Sequence, residues 1–254
     1  MTGATIRLSR TCVNLGGHPV LRDLYFEAGP GEFVAVVGPS GVGKSTLLRV
    51  IARLVEPEAG EVVVRPANGG LQARVAFVFQ EPRLLPWLRV LDNVAIVAPA
   101  GPDRMERARR VLAAVGLGGW ERAWPRQLSG GMAQRAALAR ALVTEPHVLL
   151  LDEPFSAVDA LTRMRLQEHV LGLWAEGGFT AVLVTHDVDE AVYLADRVYV
   201  LMGRPATVAA EFSVRLPRPR LREDPALGRL RREVLGALGP VPLTAGRPDG
   251  NLLV

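Results

Sequence analysis

The sequence of 254 residues predicts an α/β fold built on a mostly parallel central sheet with helices on both faces. Short continuous apolar runs carry this reading. FVAVV at 33–37, VAFVF at 75–79, VLLL at 148–151 and TAVLVT at 180–185 have the length and composition of strands buried on both faces. Each is followed by polar turn residues, and helical patterns follow, TLLRVIARL after the first and HDVDEAVYLA after the last. The polar clusters GPSGVGKST, QEPRLLPW, DEPFSAVD and HD all stand at the carboxyl ends of those strands. Ligands bind at that edge of such sheets, so the clusters are expected to converge on one crevice.

Composition narrows the class. Apolar residues make up 49% and charged residues 22%, the balance of a globular chain and not of a disordered one. No apolar run approaches the roughly 18 residues of a membrane span, and MTGATIRLSRTCV has no secretory pattern. The single cysteine, Cys12, excludes an intrachain disulfide and fits a reducing compartment. A soluble, cytoplasmic protein is the expectation. The net charge of +4 is spread over scattered arginines, a poor nucleic-acid footprint. Of 30 basic residues, 29 are arginine and one is lysine, Lys44. That position kept a compact ammonium where a guanidinium fork was used everywhere else.

Taken in order, the chain becomes helical and strand-poor between Gln80 and Val148. Met105, Ala108, Leu112 and Val115 form one apolar face. Arg104, Arg107, Arg109 and Arg110 make a solvated face or a phosphate-contacting one. After Leu201 the sequence is read as irregular and Pro/Arg-rich through RLPRPRLREDP, then helical over 226–238, with a loosely ordered tail at 236–254. There is no internal repeat.

Chemistry concentrates in three motifs. Gly38, Pro39, Ser40, Gly41, Val42, Gly43, Lys44 and Ser45 fit G-x-x-x-x-G-K-[ST] between a strand and a helix, with Thr46 next on that helix. Glycines let backbone N–H groups curl around phosphate oxygens, Lys44 reaches the β- and γ-phosphates, and the Ser45 hydroxyl ligates Mg²⁺. In VLLLDEP, Asp152 emerges from a buried strand to hold Mg²⁺ directly or through water. Glu153 follows, placed to orient or deprotonate an attacking water. In LSGGMAQR at 128–135, Ser129, Gly130 and Gly131 open a helix whose N–H groups and dipole suit a γ-phosphate.

The order of these motifs resembles that of the ATP-binding cassette (ABC) ATPases, over roughly residues 4 to 235. The resemblance implies a phosphate-loop NTPase core carrying a small antiparallel β subdomain and a helical signature subdomain at about 85–145. It also implies binding of ATP and Mg²⁺. Ser129, Gly130, Gly131 and Gln134 would complete the nucleotide site of a second copy. Gln80 resembles the Q-loop glutamine, which touches Mg²⁺ and senses a transmembrane partner. Ser156, Ala157, Val158 and Asp159 resemble the D-loop at the dimer interface, and His186 resembles the switch histidine against the γ-phosphate. His18, His147 and His169 lack such context and are read as ordinary polar residues.

FVFQEPRLLPWLRVLDNV, LSGGMAQR and LPRPR are similar to the importer ATPases for nitrate, aliphatic sulfonates and taurine. By that resemblance the chain is a peripheral subunit on the cytoplasmic face of the inner membrane. It would work as a homodimer with separate permease subunits and, through them, a substrate-binding protein, and without nucleic acid. Residues 80–94 would form the groove for the permease, with Leu84, Leu85 and Trp87 as docking residues or as core of the helical lobe. The alternatives are an ABC ATPase of DNA repair, translation or cluster assembly, and a phosphate-loop kinase. One departure stands out. The family normally stacks an N-terminal aromatic residue on adenine, but residues 6–24 contain no Phe, Tyr or Trp. The nearest positions read Cys12 and Leu15, while Tyr25 and Phe26 read as core strand residues.

Overall fold

Alternation along three strands explains how the sheet is covered. In β3 (Phe33–Val37), Phe33, Ala35 and Val37 pack into one apolar cluster and Val34 and Val36 into another. β6 (Val148–Asp152) and β7 (Thr180–Thr185) divide in the same way, Leu149, Leu151, Ala181 and Leu183 to the first cluster, Val148, Leu150, Val182 and Val184 to the second. A period of two with both sides buried requires a continuous apolar run, which is what the sequence supplies.

The computed structural model describes residues 2–156 and 158–239. The remaining elements are β1 (Ala4–Leu15), β2 (His18–Ala28), α1 (Lys44–Ile51), β4 (Ala59–Pro66), β5 (Val75–Val78), α2 (Val90–Ala95), α3 (Arg104–Ala114), α4 (Gly130–Leu142), α5 (Ala160–Gly177), α6 (Val188–Leu194), β8 (Arg197–Gly203), β9 (Ala206–Ser213) and α7 (Pro225–Ala237). One nine-stranded sheet runs β4-β1-β2-β9-β8-β3-β7-β6-β5. β8, β3, β7, β6 and β5 are parallel neighbours, whereas β1 pairs antiparallel with β2 and β4, and β8 with β9. The antiparallel flank joins the parallel core through the single pair Leu21–Ala206. The α/β architecture is therefore as expected, and α1 lies on the face shared with the antiparallel strands.

Several local expectations need correction. The stretch after Leu201 is regular as far as Ser213, because β8 and β9 form a hairpin there, and the irregular chain covers only 214–224 ahead of α7. In ATVAAEFS the inward residues Ala206, Val208, Ala210 and Phe212 alternate with an outward set that includes the apolar Ala209, which blurs the strand signal. Tyr25 is not a core residue: Phe26 is buried, but Tyr25 points the other way and is 56% exposed. Met105 is 37% exposed, at the edge of the face formed by Ala108, Leu112 and Val115. Between β5 and α2 the chain is a loop containing Pro82 and Pro86. Buried Asn93 holds it, accepting from the Leu85 N–H at 2.7 Å and donating to the Leu85 and Leu88 carbonyls at 3.0 Å. Of the tail expected at 236–254, residues 240–254 lie outside the described residues, as does Ala157.

His147 is a buried structural residue. Its Nδ1 accepts the Arg74 N–H at 2.9 Å and its own N–H donates to the Arg74 carbonyl at 2.8 Å, joining the starts of β5 and β6. Burial first, and then the Arg74 charge, lower the imidazole pKa. Stability from this group is whole above the ordinary imidazole value of about 6.5 and is lost as the pH falls through that value toward the lowered one. In His147→Gln the amide oxygen accepts the same N–H without titrating. Melts at about pH 7.5 and about pH 5 should show a smaller acid-induced loss in the variant. Equal losses would remove His147 from the acid response.

Candidate nucleotide site

The loop after β3 folds as its glycines permit. Gly43 has φ +120°, and a Cβ there would meet Leu21 at 3.0 Å and Val20 at 3.1 Å. As the N-cap of α1 it supplies no side chain, so the first N–H groups of that helix remain available to an anion. Lys44 is buried, and its Nζ donates to the Gly38 carbonyl at 2.8 Å and the Pro39 carbonyl at 3.1 Å. Burial lowers its pKa, opposed by the nearby Glu153 and Asp152 charges.

The acidic side of the crevice comes from the end of β6. The Ser45 Oγ donates to Asp152 Oδ1 at 2.8 Å. Burial raises the Asp152 pKa, and the Ser45 hydrogen bond opposes the rise. Glu153 adopts φ +44°, a left-handed conformation that costs a non-glycine residue roughly 1–2 kcal/mol. Its N–H donates to the Val184 carbonyl at 2.9 Å, and its Oε2 lies 3.0 Å from His186 Nδ1. Strain of this kind is kept where the surroundings over-determine it. Gln80 Nε2 donates to Ser156 Oγ at 3.4 Å, and Ser156 Oγ donates to the Glu153 carbonyl at 2.9 Å. A cavity of about 480 Å³ is lined by Ser40, Gly41, Gly43, Lys44, Ser45, Thr46, Gln80 and Glu153, and also by Leu15 and Val20.

Other predicted residues lie elsewhere. Ser129 caps α4, accepting the Met132 N–H at 3.3 Å, and Ser129 and Gly130 are exposed. Gly131 is buried, and a Cβ on it would stand 2.7 Å from Thr162 Cγ2. The start of α4 thus packs against the start of α5, capped by Asp159, which accepts the Thr162 N–H at 3.0 Å and whose pKa is lowered by that bond. None of Ser129, Gly130, Gly131 or Asp159 lines the cavity over the chain's own phosphate loop. Gln134 is turned inward, and its amide donates to the Phe79 carbonyl at 3.2 Å, a packing bond between α4 and the end of the Gln80 strand.

Sequence reasoning missed a buried network behind His186. Glu190 is buried, with its pKa raised chiefly by that burial. It accepts from Thr185 Oγ1 at 2.7 Å and Gln167 Nε2 at 3.1 Å, and Arg163 pairs with Asp187 at 3.5 Å. The only signal was an acid four positions after His186, on the turn of helix that faces inward.

Ser45 Oγ and Asp152 Oδ1 are hard oxygen donors whose separation suits joint ligation of Mg²⁺. Among the described residues no group of three or more His, Cys, Asp or Glu forms a metal cluster. Such an ion would complete its shell with phosphate oxygens and water.

A phosphate loop, a paired serine and aspartate, and a glutamate–histidine pair at the carboxyl ends of parallel strands define an ATPase of the ABC class. The ABC transporter family model matches residues 21–156, and the chain belongs to this family of ATP-binding ATPases. It is 49% identical over 246 residues to the aliphatic sulfonates import ATP-binding protein SsuB 1 of Xanthomonas axonopodis pv. citri, covering 94% of this chain and 98% of the relative. It is 50% identical over 233 residues to SsuB 2 of Pseudomonas syringae pv. tomato, covering 92% and 97%. Its fold matches a dimeric post-hydrolysis structure of the ATP-binding cassette MJ0796 bound to ADP and Pi, with TM-score 0.71 and 32% identity over 84% of this chain and all of that one. It also matches cbiO1 from Clostridium perfringens, with TM-score 0.73 and 25% identity over 82% and 88%.

Leu15, and not Cys12, borders the phosphate-loop cavity, since the Cys12 sulfur is engaged with the Asp23 N–H at 3.3 Å. An aliphatic wall lacks the stacking contact worth about 1–3 kcal/mol per base, so GTP is expected to compete with ATP within about tenfold. Leu15→Tyr should tighten ATP binding and Cys12→Tyr should not. Competition titrations showing a preference for ATP above about a hundredfold would exclude relaxed selectivity.

Proposed function

We propose that two copies of this chain assemble head to tail and drive uptake of a small organic anion, a sulfonate in first place, through separate permease subunits. In this arrangement the exposed Ser129–Gly130 end of α4 faces the phosphate loop of the other copy. The Gly38–Gly43 backbone, Lys44, Ser45 and Thr46 hold the phosphates, and Ser45, Gln80 and Asp152 hold Mg²⁺, which neutralises phosphate charge when bound. Glu153 orients and deprotonates the attacking water, and His186 contacts the γ-phosphate while holding the Glu153 carboxylate. The observation that carries this reading is the Glu153–His186 pair at 3.0 Å beside the Ser45–Asp152 pair at 2.8 Å over one loop.

The importer reading draws on relatives named for aliphatic sulfonate import, and the dimer on the dimeric cassette structures. No helix among the described residues is long and apolar enough to cross a membrane, which agrees with permease subunits on other chains. A groove of about 800 Å³ beside the 80–94 segment is lined by Phe79, Leu85, Ile96, Val97 and Arg140 and suits a permease helix. Leu84 packs against the core, and Trp87, 69% exposed, is the projecting candidate contact. With such a permease, ATP-dependent uptake into vesicles should favour an alkanesulfonate without an amino group over nitrate and over the aminosulfonate taurine, and a preference for nitrate would redirect the assignment.

Two substitutions separate binding from turnover. Glu153→Gln removes the base and keeps the shape, so it should retain ATP, slow hydrolysis by about 10²-fold or more and accumulate as a dimer. Steady-state turnover near that of the parent protein would sink the assignment. Lys44→Arg keeps the charge but replaces a point donor that fits between two carbonyls with a wide fork. Severe loss of hydrolysis is expected, and full activity would show that composition, not chemistry, explains the lone lysine.

A further inference from the structure

The Pro/Arg segment at 214–222 is not a free basic patch. It runs back across the end of α6 and grips it with three guanidinium groups. Arg220 is buried, its side chain 2% exposed. Its Nη1 donates to the carbonyls of Val192 at 3.2 Å, Tyr193 at 2.8 Å and Ala195 at 2.6 Å. Its Nε and Nη2 close the segment on itself through the Leu216 and Val214 carbonyls, both at 3.3 Å. Arg218 donates to the Leu194 carbonyl, pairs with Asp196 and lies 4.5 Å from the Trp174 ring centre of α5. Arg222 lies 3.8 Å from the Tyr193 ring centre and pairs with Glu168 of α5 at 3.2 Å.

The carbonyls of residues 192 to 195 are thus all capped by arginines from a distant segment, at the end of a helix where carbonyls have no partners within it. Positive charge at that negative end also complements the helix dipole. Burial and the neighbouring Arg218 charge push the Arg220 pKa down to about 10, which leaves it charged near neutrality. A hydrophobic plug would be cheaper to bury, but it would leave those carbonyls unpaired.

The other end of α6 is the functional one. His186 directly precedes Asp187, which caps the Asp189 and Glu190 N–H groups at 2.8 and 3.2 Å. Arg231 of α7 pairs with Asp189 at 2.9 Å. α6 has seven residues, a rod of about 10 Å at 1.5 Å per residue. A shift at its clasped end is therefore passed to His186 nearly undiminished. We propose that Arg218 and Arg220 are positioning residues for ATP hydrolysis, which fix the axial position of α6 and so hold His186 in register with Glu153. This rests on the roles given above to His186 and Glu153.

The test uses the full-length chain with Arg220→Lys and Arg218→Met, each alone and combined with His186→Ala. ATP affinity should stay within about threefold of the parent protein, while kcat falls about tenfold or more with KM nearly unchanged, as misplacement by an ångström predicts. In the His186→Ala background the same substitutions should change the residual kcat by less than about twofold, because the element they position is gone. Unchanged kcat in a folded variant would overturn the inference, as would equal losses in both backgrounds, the mark of a merely structural role. If Arg220→Lys melts below the assay temperature, Arg218→Met, at a more exposed position, decides by the same criteria. Turnover like the parent's in His186→Ala alone refutes the site reading itself, a result distinguishable from additive losses at Arg218.

Discussion

The hydrogen bond from Ser45 to Asp152 links the ends of two strands that are not neighbours. β3 delivers Ser45 through the phosphate loop and α1, β6 delivers Asp152, and β7 lies between them in the sheet. The two side chains meet because three strands, each buried on both faces, are locked in parallel register, Val37 opposite Thr185 and Asp152 opposite Val184. A one-residue slip in the β6–β7 ladder would turn Asp152 to the other face, and one in the β3–β7 ladder would do the same to the strand that leads into the loop, so either would dissolve the site. β7 also supplies His186 from its own end, so one register serves the loop, the acid and the histidine together.

That register holds charges where they are uncomfortable. Burial pushes Lys44 toward its neutral form and Asp152 toward its protonated form, and the Glu153 and Asp152 charges beside Lys44 and the Ser45 hydrogen bond to Asp152 only partly offset this. The shifts have opposite signs, and a triphosphate carrying a divalent cation would relieve both, the anion favouring Lys44 charged and the cation favouring Asp152 ionised. Part of the affinity for such a ligand would then come from releasing a strain built into the protein. Glu153 adds a second strained feature, its left-handed backbone, which points its carboxylate at His186.

Legibility in the sequence followed burial. The strands around the phosphate loop were readable because burial on both faces forces unbroken apolar runs, and the loop itself because its backbone demands glycine and its chemistry demands lysine. β9 was not readable, since only Glu211 and Phe212 mark its alternation clearly and the outward Ala209 blurs the rest. Tyr25 and Phe26 look alike in sequence but face opposite sides of β2, and only register decides between them. Gln134 belongs to the signature in sequence, yet the helical turn carries it to the inner face of α4, where it bonds the strand leading to Gln80. The long-range partners of Arg218 and Arg220, more than twenty residues distant, leave no local trace.

The arginine-rich composition acquires a physical meaning at its two extremes. Arg220 reaches five carbonyls through the three nitrogens of a planar fork, a geometry that an ammonium on a flexible stem cannot reproduce. Lys44 sits in a narrow loop where one small group contacts the Gly38 and Pro39 carbonyls, a space that suits a compact charge and not a fork. The same exchange is therefore forbidden in opposite directions at the two sites. One anchors the helix that follows His186, and the other stands where phosphates would lie, so α6 and the phosphate loop each depend on a cation whose shape, more than its charge, is specified.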